Sequence, residues 1–439
     1  MVFLIPLAFS TRTFDHFGLI KLMLFLFGCG LLLFYLLIYR KELASLPKAV
    51  IWAMIFFLAV QIFQTVRLPN PLIGLWGEYG QSESLMVQIG FIILCLAGFL
   101  FVKPRPEYHA KLVDLITLTV LINSIYGIAE YFLGDPITKM NMVRIKSFFG
   151  DPNSLGAFLV LTLPVIITGF WSTPQKMRRL MMGFSFFCGV IALYLTFSRA
   201  AWVGFGVAGV FCLICGVSRQ ILKDRTCLKN LLFTLVLMAA GFFGGILLTF
   251  CQPKAHADYN LNARVHSIMK GNDSGRHLLW SIALEAFHDS PWIGYGMTTF
   301  RKNFHKYQTI EAVNFWGPNR NISQAHNEII QYLATQGLLG ALSFLFLWLA
   351  LLWTGNFRDL LRRNPEPGFL GFWAALLGYS VFTQFAYPLI HYSFFVWIYW
   401  GILMNRRNPQ AEINPVPQLH TIWITTVVVL IIFLVLFLV

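Results

Sequence analysis

His326, Arg199 and Arg276 are the residues whose types and settings are suited to chemistry. His326 stands in SQAHNEIIQYLATQGLLG (323–340), with Gln331 and Gly337 downstream, where a polar stretch turns into an apolar helix. A helix N-terminus and nearby guanidinium groups both disfavour imidazolium. This ring is therefore expected to be neutral near pH 7 and able to take a proton, as a general base must. Its bland reading is a helix-capping or interface histidine, and that reading weakens as cations gather around it. Arg199 sits in TFSRAAW (196–202), a turn of a few residues between two apolar runs. A guanidinium there is costly to desolvate unless an anion or a polar cavity receives it, and its planar fork suits phosphate oxygens. Interface anchoring is the alternative. Arg276 follows Gly275 at the start of GRHLLWSIALEAF (275–287), where Leu278, Ile282, Leu284 and Phe287 recur near helical spacing. Positive charge at that position is unfavourable to the helix alone, a local inconsistency of the kind functional sites show.

Further cations lie near these three in the sequence pattern. Arg144 and Lys146 belong to RIKSFFGDPN (144–153), in which Asn153 is expected to cap the next helix and Gly150 and Pro152 read as turn residues. Arg144, Lys146 and Arg264 are taken as additional phosphate contacts, whereas Lys302 and Lys306 read first as snorkelling or solubilising residues. No metal is expected. His266, His277 and His288 would align on one continuous helix, but Gly271–Gly275 interrupts it, and no CxxC, HExxH, GxSxG, Walker or dinucleotide motif occurs.

The elements that must position these groups are membrane helices. The chain has 439 residues, 57% hydrophobic and 12% charged; water-soluble domains carry about 25% charged residues, so a soluble body is excluded. Apolar runs long enough to cross a bilayer recur at 17–39, 49–66, 84–102, 112–133, 153–171, 180–197, 200–218, 230–250, 333–354, 368–387, 390–404 and 420–438. The reading is an all-α integral membrane protein of about 12 transmembrane helices, one polytopic domain over 1–439. Alternate connections are short and basic (Arg40/Lys41/Lys48, Lys103/Arg105/Lys111, Lys176/Arg178/Arg179, Arg219/Lys223/Arg225/Lys229, Arg358/Arg362/Arg363, Arg406/Arg407) and hold more than half of the 33 Lys and Arg residues. They mark the cytoplasmic side. The net charge of +14 is thus largely an orientation signal and calls for no nucleic acid. The polar stretch 251–332, between helices 8 and 9, then lies outside as a partly helical loop. Its Arg264, Arg276, Arg301, Lys302, Lys306 and Arg320, with Arg144, Lys146 and Arg199, run against the orientation rule and point to an anionic ligand at the outer face. The same parity puts both termini outside, with MVFLIPLAFS (1–10) as a shortened helix or re-entrant piece; no cleavable leader is expected. Most cysteines fall within apolar segments as small hydrophobes, and no disulfide framework is expected.

Four segments in order, RIKSFFGDPNSLGAF (144–158), FSRAAWVGF (197–205), GRHLLWSIALEAFHDSPWIGYGMTTF (275–300) and AHNEIIQYLATQGLLG (325–340), resemble the O-antigen ligase and O-antigen polymerase superfamily. The last fits the ligase pattern of His, then Asn, Ser or Gln, then nine residues and Gly, which tilts the reading toward a ligase. The resemblance implies a GT-C type glycosyltransferase of the bacterial inner membrane, acting at the periplasmic face without metal or other cofactor. The 251–332 loop would then carry part of the active site. Its donor would be an undecaprenyl-diphosphate-linked glycan and its acceptor lipid A–core or, in polymerases, another lipid-linked glycan; relatives glycosylate proteins. His326 matches the essential histidine, Arg199 and Arg276 the phosphate-binding arginines, with Asn327 in support. The family usually keeps both termini in the cytoplasm, which differs from the parity read here. A flippase for the same lipids is the different-class alternative, but it wants charges along several spans near the midplane, and these spans are nearly free of them. An assembly subunit would not need Arg199 and His326 together.

Overall fold

The computed structural model describes residues 1–13, 15–77, 83–101, 106–137, 144–216, 225–251, 275–355 and 367–405. The described helices are α1 (Leu4–Leu7), α2 (Gly18–Ile38), α3 (Lys48–Val66), α4 (Pro71–Trp76), α5 (Leu85–Phe101), α6 (Pro106–Leu133), α7 (Pro152–Ser172), α8 (Lys176–Leu195), α9 (Arg199–Gly216), α10 (Arg225–Cys251), α11 (Arg276–Asp289), α12 (Phe300–Phe304), α13 (Ile310–Trp316), α14 (Glu328–Thr354), α15 (Pro367–Phe382) and α16 (Ile390–Asn405), and no strand occurs among the described residues. Among the described residues seven helices are long and apolar enough to cross a membrane, and three shorter helices are also apolar. With α16 they coincide with the first eleven expected spans; the twelfth, 420–438, lies outside the described residues. All-helical architecture follows from the solvent: in hydrocarbon every backbone group must be bonded within its own segment.

α7 forms the centre of the bundle, with 94% of its spanning window buried, and packs against α15, α8 and α9. Around it, α16 lies on α5, α10 on α8 and α3 on α14. Trp52, Val236 and Ile214 face outward, as expected of side chains meeting lipid instead of water. Hydroxyls inside the bundle bond back to their own helix, as Thr162 to the Phe158 carbonyl at 2.7 Å and Thr168 to that of Pro164 at 2.9 Å.

A second, smaller core lies at one end of the bundle. There Leu278, Leu279, Ile282, Ala283 and Ala286 of α11 pack with Phe300, Phe304, Ala312, Ala325 and Ala334. The buried stripe differs from the expected one: Leu284 is exposed, because Ala283 and Ala286 supply the close-packing face instead. One boundary also differs. The expected span 368–387 stops at Phe382, and 383–389 is a loop. α14 starts at Glu328, beside His326 as expected, and runs on through the span to break at Gly337, where φ is 65° and ψ −164°. Residues 4–7 are a single helical turn, tied down by Lys21, whose Nζ donates to the Ile5 carbonyl at 2.8 Å, and packed on the 147–149 turn.

Candidate functional site

His326 precedes α14, which Asn327 caps by accepting the Ile330 N–H at 3.0 Å. Asn327 also donates through Nδ2 to the Gln384 carbonyl at 3.1 Å, and the Glu328 N–H donates to the Thr383 carbonyl at 3.0 Å. The start of α14 is thereby stitched to the 383–389 loop. From inside the helix Gln331 accepts the Ala325 N–H at 2.7 Å and donates to Glu83 at 3.3 Å, so the backbone on both sides of His326 is fixed. The His326 ring meets Tyr387 edge-on, with centroids 4.9 Å apart. Burial, and after it the Arg276 charge, push the imidazole from 6.5 down to about 4. The ring is neutral at pH 7, as expected; burial, not the helix dipole, is the larger cause.

Arg276 opens α11 after Gly275, which has φ 81°, and its guanidinium carbon lies 6.0 Å from the centre of the Phe385 ring. Two residues of one loop, Phe385 and Tyr387, thus touch Arg276 and His326. Sequence reasoning missed this loop because Phe385, Ala386 and Tyr387 are as apolar as the span before them. The signal available was Gln384 and Pro388, a polar residue and a helix breaker flanking the aromatic pair.

Arg199 is the first residue of α9 and half-buried, in the short turn expected after α8. Its neighbour Ser198 donates to Asn153 Oδ1 at 2.9 Å. The same oxygen accepts from Arg144 at 3.1 Å, and Arg144 Nε donates to the Thr196 carbonyl at 2.8 Å. Arg144, Asn153 and the Arg199 turn therefore form one unit. Asn153 is not the helix cap: Asp151 is, accepting the Ser154 N–H at 2.9 Å, because Pro152 takes the first helical position. Asp151 is also near enough to Tyr387 for its charge to act on the phenol, which burial and then that charge push up to about 12. Through Asp151 and Tyr387 the arginine unit borders the histidine.

Backbone strain gathers at the same place. The non-glycine residues with positive φ among the described residues are Ser147 (49°), Phe197 (47°), Thr298 (63°) and His326 (54°). Phe197 precedes the Arg199 turn and His326 is itself the candidate base. Each such conformation costs about 1–3 kcal/mol and persists only where the surroundings impose it.

The break at Gly337 explains how the α11 side is held. Groups freed by the break are bonded anew: the Thr335 carbonyl accepts the Gly296 N–H at 2.6 Å, the Gln336 carbonyl accepts Gln64 at 3.1 Å, and the Leu338 and Leu339 N–H groups donate to the Pro291 and Trp292 carbonyls at 2.8 and 3.0 Å. The 291–296 backbone thus inserts into the break. A Cβ on Gly337 would stand 2.5 Å from the Trp292 carbonyl carbon, so the position takes only glycine.

Two expected cations have other work. Lys146 is buried and paired with Asp135 at 2.9 Å, so it is not a free phosphate contact. Lys306 donates to Asp289 at 2.9 Å, Tyr295 at 3.0 Å and Tyr307 at 2.7 Å, holding the end of α11 to the segment after α12. Arg264 lies outside the described residues.

His326, Arg276 and Arg199 all fall within one recognised segment. Residues 184–345 match the O-antigen ligase family. The resemblance carried by the motifs is borne out over that segment, which also contains the Gly337 break. The chain is also similar to a general O-oligosaccharyltransferase of Acinetobacter baylyi (strain ATCC 33305 / BD413 / ADP1), 25% identical over 304 residues, covering 66% of this chain and 50% of the relative. The chain thus spans about half the length of that curated relative. The chain is a multi-pass membrane protein with a segment that matches the O-antigen ligase family.

Proposed function

We propose that this protein is a glycosyltransferase of the bacterial inner membrane that moves a glycan from undecaprenyl diphosphate to an acceptor sugar hydroxyl at the periplasmic face, with lipid A–core as the acceptor. The observation that carries the reading is a neutral, half-buried His326 facing the Arg276 charge across the 383–389 loop, which also borders the Arg144–Asn153–Ser198 unit beside Arg199. In this reading Arg199 and Arg276, with Arg144, bind the diphosphate and stabilise the charge that develops on it as the C1–O bond breaks. Arg264 joins them from the 251–332 loop. His326 takes the proton of the attacking hydroxyl as oxygen bonds to C1 from the opposite face, which inverts that centre. Asn327 holds the histidine in place. Charge stabilisation rests on guanidinium groups, so the reaction calls for no divalent ion.

A second acceptor class is favoured by the relative's name, O-oligosaccharyltransferase, which supports a protein hydroxyl in place of the core sugar. One experiment separates the two. Purified protein is given a polyprenyl-diphosphate glycan with lipid A–core, with a hydroxyl-bearing protein, or alone, and products are identified by mass. Capped lipid A–core supports the first reading, glycosylated protein the second, and longer lipid-linked chains a polymerase. No transfer to any acceptor, or transfer abolished by EDTA and restored by a divalent ion, overturns the chemistry.

A further inference from the structure

Below Arg199 the bundle contains an apolar cleft of about 150 Å³ between α9 and α10, with α7 and α8 as its floor. It opens because α9 packs on α7 and α15 while α10 packs on α8. On α9 its wall is Gly206, Gly209, Val210 and Leu213; Leu235 and Met238 face them from α10. The hydroxyl of Thr234 in that wall is already used, donating to the Asn230 carbonyl at 2.8 Å and accepting from Trp171 at 3.0 Å. The cleft therefore offers its occupant no hydrogen bond, only surface.

Its position relative to Arg199 identifies the occupant. Arg199, Gly206, Val210 and Leu213 are spaced so that, at 3.6 residues per turn, they fall on one stripe of α9. At 1.5 Å per residue the stripe carries the cleft from about 10 Å to about 21 Å along the helix axis from the Arg199 Cα. A molecule with an anionic head on Arg199 and an apolar tail therefore has its tail led into this cleft by the helix itself. Among the described residues nothing stands within 4 Å of a Cβ built on Gly206, and only the Met238 methyl comes that near on Gly209. These glycines leave methyl-sized recesses in an exposed wall, which suit a chain branched by a methyl at every repeat better than a straight one.

We propose that the α9–α10 cleft is the binding site for the isoprenoid tail of the lipid-diphosphate donor, with Gly206 and Gly209 as the residues that make room for its methyl branches. The inference rests on the donor class proposed above. The site selects tail length and branching, so it acts on donor binding and leaves bond breaking to the groups around His326.

The test uses full-length protein in lipid nanodiscs and two donors with the same glycan diphosphate, one on a long polyprenyl tail and one on a two-isoprene tail. In the native protein kcat/KM for the long donor exceeds that for the short one by at least about tenfold, the scale on which apolar pockets discriminate. Gly206→Phe and Gly209→Phe fill the cleft and collapse that ratio toward one; Gly206→Ala lowers it partway and, as a helix-favouring change, folds readily. A long polyprenyl diphosphate bearing a diazirine on its tail crosslinks to α9 and α10 peptides in the native protein, and Gly206→Phe removes the crosslink. A ratio unchanged in both Phe variants, or a tail crosslink on other helices, overturns the proposal; an ordinary phospholipid chain occupying the cleft gives that result. If the native protein transfers from neither donor, the transfer reading fails, while the crosslink still decides the cleft.

Discussion

Replacing Arg276 by Gln should move the acid limb of the pH–rate profile upward without abolishing it. His326 is pushed from 6.5 to about 4 by two causes, burial first and the Arg276 charge second. The limb in kcat/KM reports the free enzyme, so in the native protein it lies near 4, with activity lost as the ring protonates below that pH. The Arg276→Gln substitution removes the second cause and leaves the first. The limb therefore rises, by less than half of the interval between about 4 and 6.5, because burial is the larger share. Lost phosphate contact acts separately, lowering kcat/KM at every pH by about tenfold or more, as expected for a charged hydrogen bond. One effect displaces the curve along the pH axis and the other lowers it, so a single profile of transfer by purified protein separates them. A bound diphosphate puts negative charge near the ring, so the limb in kcat should lie above that in kcat/KM. An unmoved or lowered limb in Arg276→Gln, or an identical limb in His326→Ala, would refute the assignment of this titration to His326.

His326→Ala should lose roughly 10²–10⁴-fold in transfer while keeping donor affinity and thermal stability, the size of general-base help; near-normal turnover removes the histidine from the chemistry. Arg199→Lys and Arg276→Lys should each raise the donor KM markedly, since an ammonium cannot reproduce the forked contact, and titration with a glycan-free polyprenyl diphosphate checks this. Gly337→Ala should cost at least about 1–3 kcal/mol of stability from backbone strain alone, read as a lower melting temperature in detergent, with activity falling alongside it.

Hydropathy made the membrane helices legible because a bilayer allows few solutions: a run of apolar residues must be helical and of spanning length. It fails where an apolar stretch is not lipid-facing helix. Residues 383–387 are apolar enough to extend a span, yet the carbonyls of Thr383 and Gln384 are taken by donors from Glu328 and Asn327. The break at Gly337 is hidden for the same reason. A glycine inside an apolar helix is ordinary, and only the inserted 291–296 segment, distant in sequence, demands its positive φ. The cap of α7 is ambiguous from local sequence: Asp151 and Asn153 are both good caps, and Pro152 between them decides, since proline belongs at the first helical position.

The candidate site was legible as a set of residue types and not as an arrangement. Placing a histidine and two arginines against the usual charge bias pointed to an anion and a base, and that argument needs no coordinates. What sequence could not give is which of the cations already pairs with a carboxylate. Lys146 and Arg144 are two positions apart and look equivalent, yet Lys146 turns inward to Asp135 while Arg144 bonds Asn153 and the Thr196 carbonyl beside Arg199. Nor could it show that Phe385 and Tyr387, apolar to any hydropathy scale, stand between Arg276, His326 and Asp151. Tyr387 matters physically because it packs on the imidazole and adds to its burial. Burial is what lowers its affinity for a proton most, and the residues that supply burial are the ones a search for polar chemistry passes over.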